Sequence, residues 1–394
     1  MMPMEPIPAR LSARIQVPDL TGLALGYNVF RWPGASGESA SCFAVVREDR
    51  HLSVYDLRDM LDGGDPLARI AAVVPAGRVV APSPDARYVV VCDQRELRAV
   101  NADGTVRWRV EHPCWGCADM VDHGSEPACG GIDGGSAYVN ADGTQVWAHI
   151  AAEWDDETET AEQWLVLDAA DGTVLGSAGL PGASAGSGHL LHPDGCRAVL
   201  SVGFGQDGSA AFLGSWDGTT LTLHEVDDDG PLRFDTDRVV VDINPGGHLV
   251  LTTPHSDEYL AVHQMPDLGC LVQTAAESIP QAPNVTSASW DYAAAFLDSS
   301  TLLAVLDTRA DDYMRDHWLL DCDRGPIGPI AYPVGSAEDI TGLVALGDGT
   351  WATIDATGDL CLWARPEGHR RAHQDHQESF LGECRRRRLL ERLC

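Results

Sequence analysis

The sequence predicts an all-β chain: a seven-bladed β-propeller of four-stranded antiparallel blades, closed by an N-terminal strand and followed by a short C-terminal helix. Three observations carry that expectation. The 40 Gly and 23 Pro are spread along all 394 residues, the composition of many short elements separated by turns. Turns of one chemistry return at a nearly constant interval. Between them the chain divides into groups of four short apolar runs.

The interval is read from "SPDA" ending at Ala86, "NADG" at Gly143, "HPDG" at Gly195, "NPGG" at Gly247, "LDSS" at Ser300 and "LGDG" at Gly349, spaced 49 to 57 residues apart. A period of that size marks a propeller or a solenoid. Asn, Asp and Gly tolerate positive φ, and the Val, Tyr and Trp beside them pack well on a pleated sheet. Each turn therefore joins two strands.

Cutting the chain at these turns gives units of strands a to d. The clearest runs from Gly188 to Val226 as "GHLLHPDG", "CRAVLSVGFGQDG", "SAAFLGSWDG" and "TTLTLHEV". Others run from Gly77 to His112, from Arg238 to Ala275 and from Tyr292 to Pro333. This grammar assigns the near-identical phrases "AVNADGTVRW" and "YVNADGTQVW" to different places, the first to a c–d turn and the second to an a–b turn. A catalytic signature would keep one place, so the phrase is punctuation. The last unit, "ITGLVALGDG", "TWATIDATG" and "DLCLWARPE", has only three strands. The unpartnered Arg14 to Val17 supplies the fourth, which closes the ring and removes an open edge. Residues 1–367 make the propeller and 368–394 an Arg-rich helical tail.

"HLSVYDLRD" (His51 to Asp59) and "TGDLCLWARP" (Thr357 to Pro366) resemble the end of a WD40 repeat. "LRAVNADGTVRW" is similar to the Ala, Asp, Thr-Gly, Trp pattern of quinoprotein-type propeller repeats. The likeness implies propeller architecture from about Leu11 to Glu367. The Gly-His start of a WD40 repeat is missing, and no quinone ligands can be placed.

Charge and composition exclude several functions. The formal charge is −32, every basic residue is Arg, and the segment from Arg365 onward holds eight of the 27 basic residues against five acidic ones. The body before it is more acidic still and repels phosphate backbones, so nucleic acid is not an expected partner. No run of 18 apolar residues occurs, and "MMPMEPIPARLSARIQVP" is not a basic start followed by an apolar stretch. The expectation is a soluble, cytoplasmic protein with no membrane partner. Eleven Cys, several single within apolar runs (Cys42, Cys92, Cys361), behave as small buried hydrophobes in a reducing compartment.

In this connectivity the d–a and b–c connections share one face and the a–b and c–d turns the other. Insertions fall on the first face: residues 113–135 before the third unit, "EWDDETETAEQ" between its strands b and c, and "DTRADDYMRDH" between b and c of the sixth. Long loops on an economical scaffold are a functional surface. Trp115, Trp154, Asp155, Asp156, Glu157, Arg309 and Tyr313 are its candidate partner-binding residues. Cys114, Cys117, His123 and Cys129 have the spacing C-x2-C-x5-H-x5-C, which can wrap one Zn²⁺; a redox pair and unlinked thiols are the alternatives. No other cofactor is expected. In the tail, His369, His373 and His376 share one helical face, and Arg385 to Arg388 beside Leu389, Leu390 and Leu393 read as a basic amphipathic segment that docks on an acidic surface.

With no triad, phosphate loop or paired-carboxylate motif, the leading reading is a non-catalytic scaffold that recruits a protein or peptide through the loop-rich face. The alternative is an enzyme or small-molecule-binding protein with its pocket at the mouth of the central channel.

Overall fold

In the computed structural model the described residues are 4–16, 29–32, 41–48, 51–71, 79–115, 134–155, 160–181, 186–204, 208–226, 238–254, 259–280, 285–309, 313–333, 341–355 and 357–365. They form seven sheets in a ring. Two strands precede the first blade, β1 (Ile7–Pro8) and β2 (Arg10–Gln16). Blade 1 holds β3 (Val29–Trp32), β4 (Ser41–Glu48), β5 (His51–Asp56) and β6 (Ala68–Ile70). Blade 2 holds β7 (Val80–Pro82), β8 (Tyr88–Cys92), β9 (Glu96–Asn101) and β10 (Val106–Glu111). Blade 3 is β11 (Ala137–Val139), β12 (Gln145–Asp155), β13 (Thr160–Asp168) and β14 (Val174–Pro181). Blade 4 is β15 (Gly186–Leu191), β16 (Arg197–Gly203), β17 (Ser209–Trp216) and β18 (Leu221–Val226). Blade 5 is β19 (Arg238–Ile243), β20 (Leu249–Pro254), β21 (Tyr259–Gln264) and β22 (Gly269–Ala275). Blade 6 is β23 (Ser287–Phe296), β24 (Thr301–Arg309), β25 (Tyr313–Asp321) and β26 (Gly325–Ala331). Blade 7 is β27 (Thr341–Ala345), β28 (Thr350–Ile354) and β29 (Asp359–Ala364), completed on its outside by β2.

The predicted closure is present, with Arg14 opposite Cys361 and Ile15 opposite Leu360. Arg14 fastens it through Asp355 at 2.7 Å and Asp359 at 2.8 Å. A second tie was not foreseen. β1 adds in parallel to β26, so one N-terminal strap grips two blades. Pro326 and Pro329 on β26 cannot donate to a ladder and suit an outer strand.

The core lies between sheets, as stacking of half-buried faces requires. Trp147, Trp164, Leu200 and Phe212 join blades 3 and 4, while Cys42, Ala44 and Val46 of blade 1 meet Ala352, Ile354 and Leu360 of blade 7. That last contact closes the circle. Gly172, at φ +76°, shows how tight the fit is, because a Cβ there would stand 2.8 Å from the Trp108 ring.

Both copies of Asn-Ala-Asp-Gly-Thr are turns, one c–d and one a–b. Thr105 donates its backbone N–H to Asp103 at 2.9 Å, and Thr144 does the same to Asp142 at 2.9 Å; Gly104 and Gly143 hold φ of +84° and +73°. The b–c insertions of blades 3 and 6 are corrected by the structure. They are taken up mostly as ladder, lengthening β12 to 11 residues and β24 and β25 to 9 each. Alternating pairs such as Leu306 with Asp316 and Thr308 with Met314 carry the ladder out to Arg309, where Ser287 of β23 still pairs with it. The helix α1 (Leu57–Leu61), capped by the Asp56 side chain, was not expected either. The tail predicted as helix at 368–394 lies outside the described residues.

Candidate functional site

The d–a and b–c connections define a hairpin face, and the a–b and c–d turns a turn face. On the hairpin face Arg309 and Tyr313 end the ladder of blade 6 opposite one another, with Arg309 exposed. Met314, 54% exposed, stands beside them, and Tyr292, 49% exposed, lies in an irregularity of β23. The same irregularity brings Asp291 to Arg315, which also donates to Asp307 at 3.1 Å. In blade 3, Trp154 and Asp155 are the last residues of β12, and Asp155 pairs with Thr160. Asp156 and Glu157 lie outside the described residues.

Trp115, expected on the docking surface, is 2% exposed. Its ring meets His149 edge-on at 5.1 Å, its backbone N–H donates to the Gln94 carbonyl at 3.1 Å, and its own carbonyl accepts from the Gln94 amide. It anchors the start of the long d–a connection. Cys114 is half-buried beside it. Cys117, His123 and Cys129 lie outside the described residues, and among the described residues no three His, Cys, Asp or Glu side chains gather as metal ligands do.

A polar cluster that the sequence reading missed sits where the innermost strands of blades 3 and 4 enter the ring from this face. Ser136 precedes β11, and its hydroxyl lies 2.7 Å from His189 Nδ1 and 2.7 Å from Ser187 Oγ. Trp164 donates its indole N–H to His189 Nε2 at 2.8 Å. Burial, with His149 adding to it, lowers the His189 pKa to about 3, so the ring is neutral at ordinary pH. An indole nitrogen only donates. The single imidazole proton therefore sits on Nδ1 and points at Ser136, and His189 cannot serve as a base for that hydroxyl. Alongside, His149 Nε2 bonds the Glu162 carboxylate at 2.8 Å, both side chains buried. A signal for the cluster existed: Ser136 and Ser187 are 51 residues apart, one blade period, each within a Gly-Ser pair.

At the turn face the Arg31 side chain bridges the channel. Arg31, on the innermost strand of blade 1, donates through Nη2 to Asp242 Oδ1 at 2.5 Å and to the Ile243 carbonyl at 3.0 Å, both in blade 5. Its Nη1 lies 3.4 Å from the Ala345 carbonyl of blade 7. Asp242 also accepts from the backbone N–H of Phe296 in blade 6 at 2.8 Å and of Ile243 at 2.8 Å. Burial pushes the Asp242 carboxyl above its ordinary value against the pull of Arg31. The surrounding turns are stitched together: Asn244 donates to the Ser299 carbonyl at 3.1 Å, Gly349 to the Leu297 carbonyl at 2.7 Å and Arg365 to Asp298 at 2.5 Å.

A cavity of about 420 Å³ on the outer hairpin face is lined by Asp93, Gln94, Arg95, Glu96, Glu111 and His112. Its charges are largely matched from within, since Arg109 meets Glu96 at 2.8 Å and Arg98 contacts both Glu96 and Asp93. Among the described residues no helix is long and apolar enough to cross a membrane.

No family model matches the sequence, and no curated protein matches it. Solved structures do resemble the fold. The β-propeller domain of Swd1 from Myceliophteria thermophila aligns with a TM-score of 0.54 at 12% identity, covering 91% of this chain and 100% of that one. BamB from Moraxella catarrhalis aligns at 0.42 and 14% identity over 90% and 99% of the two chains. A dihydro-heme d1 dehydrogenase, NirN, aligns at 0.46 and 13% identity over 88% and 66%. At such identities the first likeness establishes the ring and nothing of its use.

Proposed function

We propose that the protein is a non-catalytic scaffold that docks a protein or peptide partner on its hairpin face. The observation that carries this reading is the pair of lengthened hairpins. β12–β13 and β24–β25 are the longest b–c hairpins among the described residues, both turn on one face, and the second presents Arg309 and the apolar Met314 to solvent. Ladder-supported projections are stiffer than loops and lose less conformational entropy on binding. Apart from the connection that holds α1, the described turns of the turn face are short, and several bond to one another. If Cys114, Cys117, His123 and Cys129 hold zinc, a reduced preparation carries one zinc per chain, and a metal-free one removes that proposal.

The test is site-specific photocrosslinking in extract of the native organism, with the crosslinker at Met314, at Arg309 and, on the turn face, at Asp142. The scaffold reading expects one recurring polypeptide captured from the first two positions and not from the third. Equal capture from both faces, or none from either hairpin position, refutes it.

A further inference from the structure

The cluster at the channel mouth is a hydrogen-bond relay whose direction is fixed at one end. We infer that the Ser187 hydroxyl is a ligand-binding donor that receives a backbone carbonyl oxygen of an extended peptide at the mouth of the channel. The inference rests on the docking reading above and names a contact within it.

The direction follows from proton counting. Trp164 can only donate, so His189 Nε2 is an acceptor and Nδ1 carries the proton. Nδ1 then donates to Ser136 Oγ. Ser136 is buried, and its own hydroxyl hydrogen has one acceptor within reach, Ser187 Oγ at 2.7 Å. The reverse arrangement, Ser187 donating to Ser136, would leave a buried hydroxyl hydrogen unpaired, at a cost of about 1–3 kcal/mol. The relay therefore runs Trp164 to His189 to Ser136 to Ser187. Its last hydrogen has no acceptor among the described residues, and Ser187 is the half-buried member at the entrance.

The chemistry of the recipient is narrowed by charge. All four members of the relay are neutral at ordinary pH, and the buried Glu162 carboxylate lies nearby through His149. In a chain of net charge −32 a carboxylate or phosphate arriving here meets a repulsive field. A neutral acceptor does not. The flanks suit a main chain, because Gly186 and Gly188 put no side chain on either side of Ser187 along this innermost strand, and among the described residues no atom lies within 4 Å of where either Cβ would stand. A backbone can approach such a strand closely.

The test begins with linear random peptides displayed on phage, selected against the full chain and kept if Met314→Asp weakens them. Loss of one neutral hydrogen bond corresponds to about a 2- to 12-fold rise in Kd. That rise is expected for Ser187→Ala, with recovery in Ser187→Thr. Replacing one peptide amide by an ester, a poorer acceptor, should reproduce it and add nothing in the Ser187→Ala background. Nitrogen-15 NMR of His189 should show the Nδ1–H tautomer, and Trp164→Phe should release it to a mixture. An Nε2–H tautomer in the unmodified protein overturns the relay. Hairpin-face binders indifferent to Ser187→Ala overturn the inference and leave the docking reading standing. A selection that yields no hairpin-face binder counts against both.

Discussion

Arg31→Met should destabilise the ring by more than any exposed ion pair does. The guanidinium spans from blade 1 to Asp242 and Ile243 of blade 5 and toward Ala345 of blade 7. Methionine keeps much of the aliphatic stem and removes every one of these bonds. Breaking a buried pair from one side typically costs about 3–5 kcal/mol, because the remaining charge is left uncompensated. Arg31 keeps a fifth of its side chain exposed and Asp242 retains two backbone donors, so the lower end, about 3 kcal/mol, applies. With about 2.1 cal/mol/K of unfolding entropy per residue, a chain of 394 residues has about 0.8 kcal/mol/K, and the loss appears as a fall in Tm of about 4 °C. Asp242→Asn, which keeps the shape and can still accept from Phe296, should cost less. The double variant should lie well short of the sum, since each single change breaks the same contact. The assay is differential scanning calorimetry of the four proteins in one buffer, with hydrogen exchange of the Phe296 amide as a local readout. An Arg31→Met protein melting within 1 °C of the parent, or single effects that simply add, would refute a cross-channel bond.

Stability should fall as the solution is acidified, in two stages. Burial depresses His189 to about 3 and His317 to about 4. The unfolded chain then binds more protons than the folded one below pH 6.5, and stability declines by about 1.4 kcal/mol per pH unit per histidine. The second stage begins near pH 4, where carboxylates of the unfolded chain start to bind protons while turn carboxylates held low by hydrogen bonds, such as Asp103 and Asp217 through Thr105 and Thr219, still resist protonation in the fold; a melting temperature flat from pH 7 to 3 contradicts both stages. Deleting residues 1–16 should expose the outer edge of β29 and give aggregates by size-exclusion chromatography, whereas a monodisperse monomer would show that the strap is dispensable. Truncation at Gly368 should leave a folded propeller with nearly unchanged melting, and any tail-mediated binding should weaken with salt; a chain that fails to fold places the tail in the core.

Much of the ring was legible because its information is local and repeated. The turns at Asp85, Asp142, Asp194 and Asp348 announce themselves through residues a few positions apart, and Arg238 to Ala275 contains one whole blade in one stretch of chain. Even the closure by Arg14 could be inferred, since a three-stranded last unit leaves one place vacant. The strap's grip on blade 6 could not, because Ile7 and Pro8 carry no pattern of their own and pair in parallel with residues more than three hundred positions away. The lengthened hairpins were read as loops for a related reason. In "DTRADDYMRDH" charged residues outnumber apolar ones, yet cross-strand pairs such as Arg315 with Asp307 satisfy them on a solvated ladder. Trp115 was placed at the surface by its loop, and only the fold brings His149 and Gln94 around it. The relay takes Trp164 from β13, Ser187 and His189 from β15 and Ser136 from just before β11, and beyond the Gly-Ser spacing of one blade period nothing in the sequence brings these positions together.

The strap also has a consequence in time. Arg14 and Asp359 are 345 positions apart, and a ribosome adding about 5–20 residues per second takes roughly 20–70 s to make the second after the first. For that interval β2 is an emerged strand without a neighbour, and blades 1 to 6 assemble while the first strand waits for its partner. Newly made chains are then most exposed to mispairing in the half-minute or so before the last blade is released. Slowing translation anywhere between β2 and β29 lengthens that wait and should lower the yield of soluble protein, whereas slowing it before β2 should not.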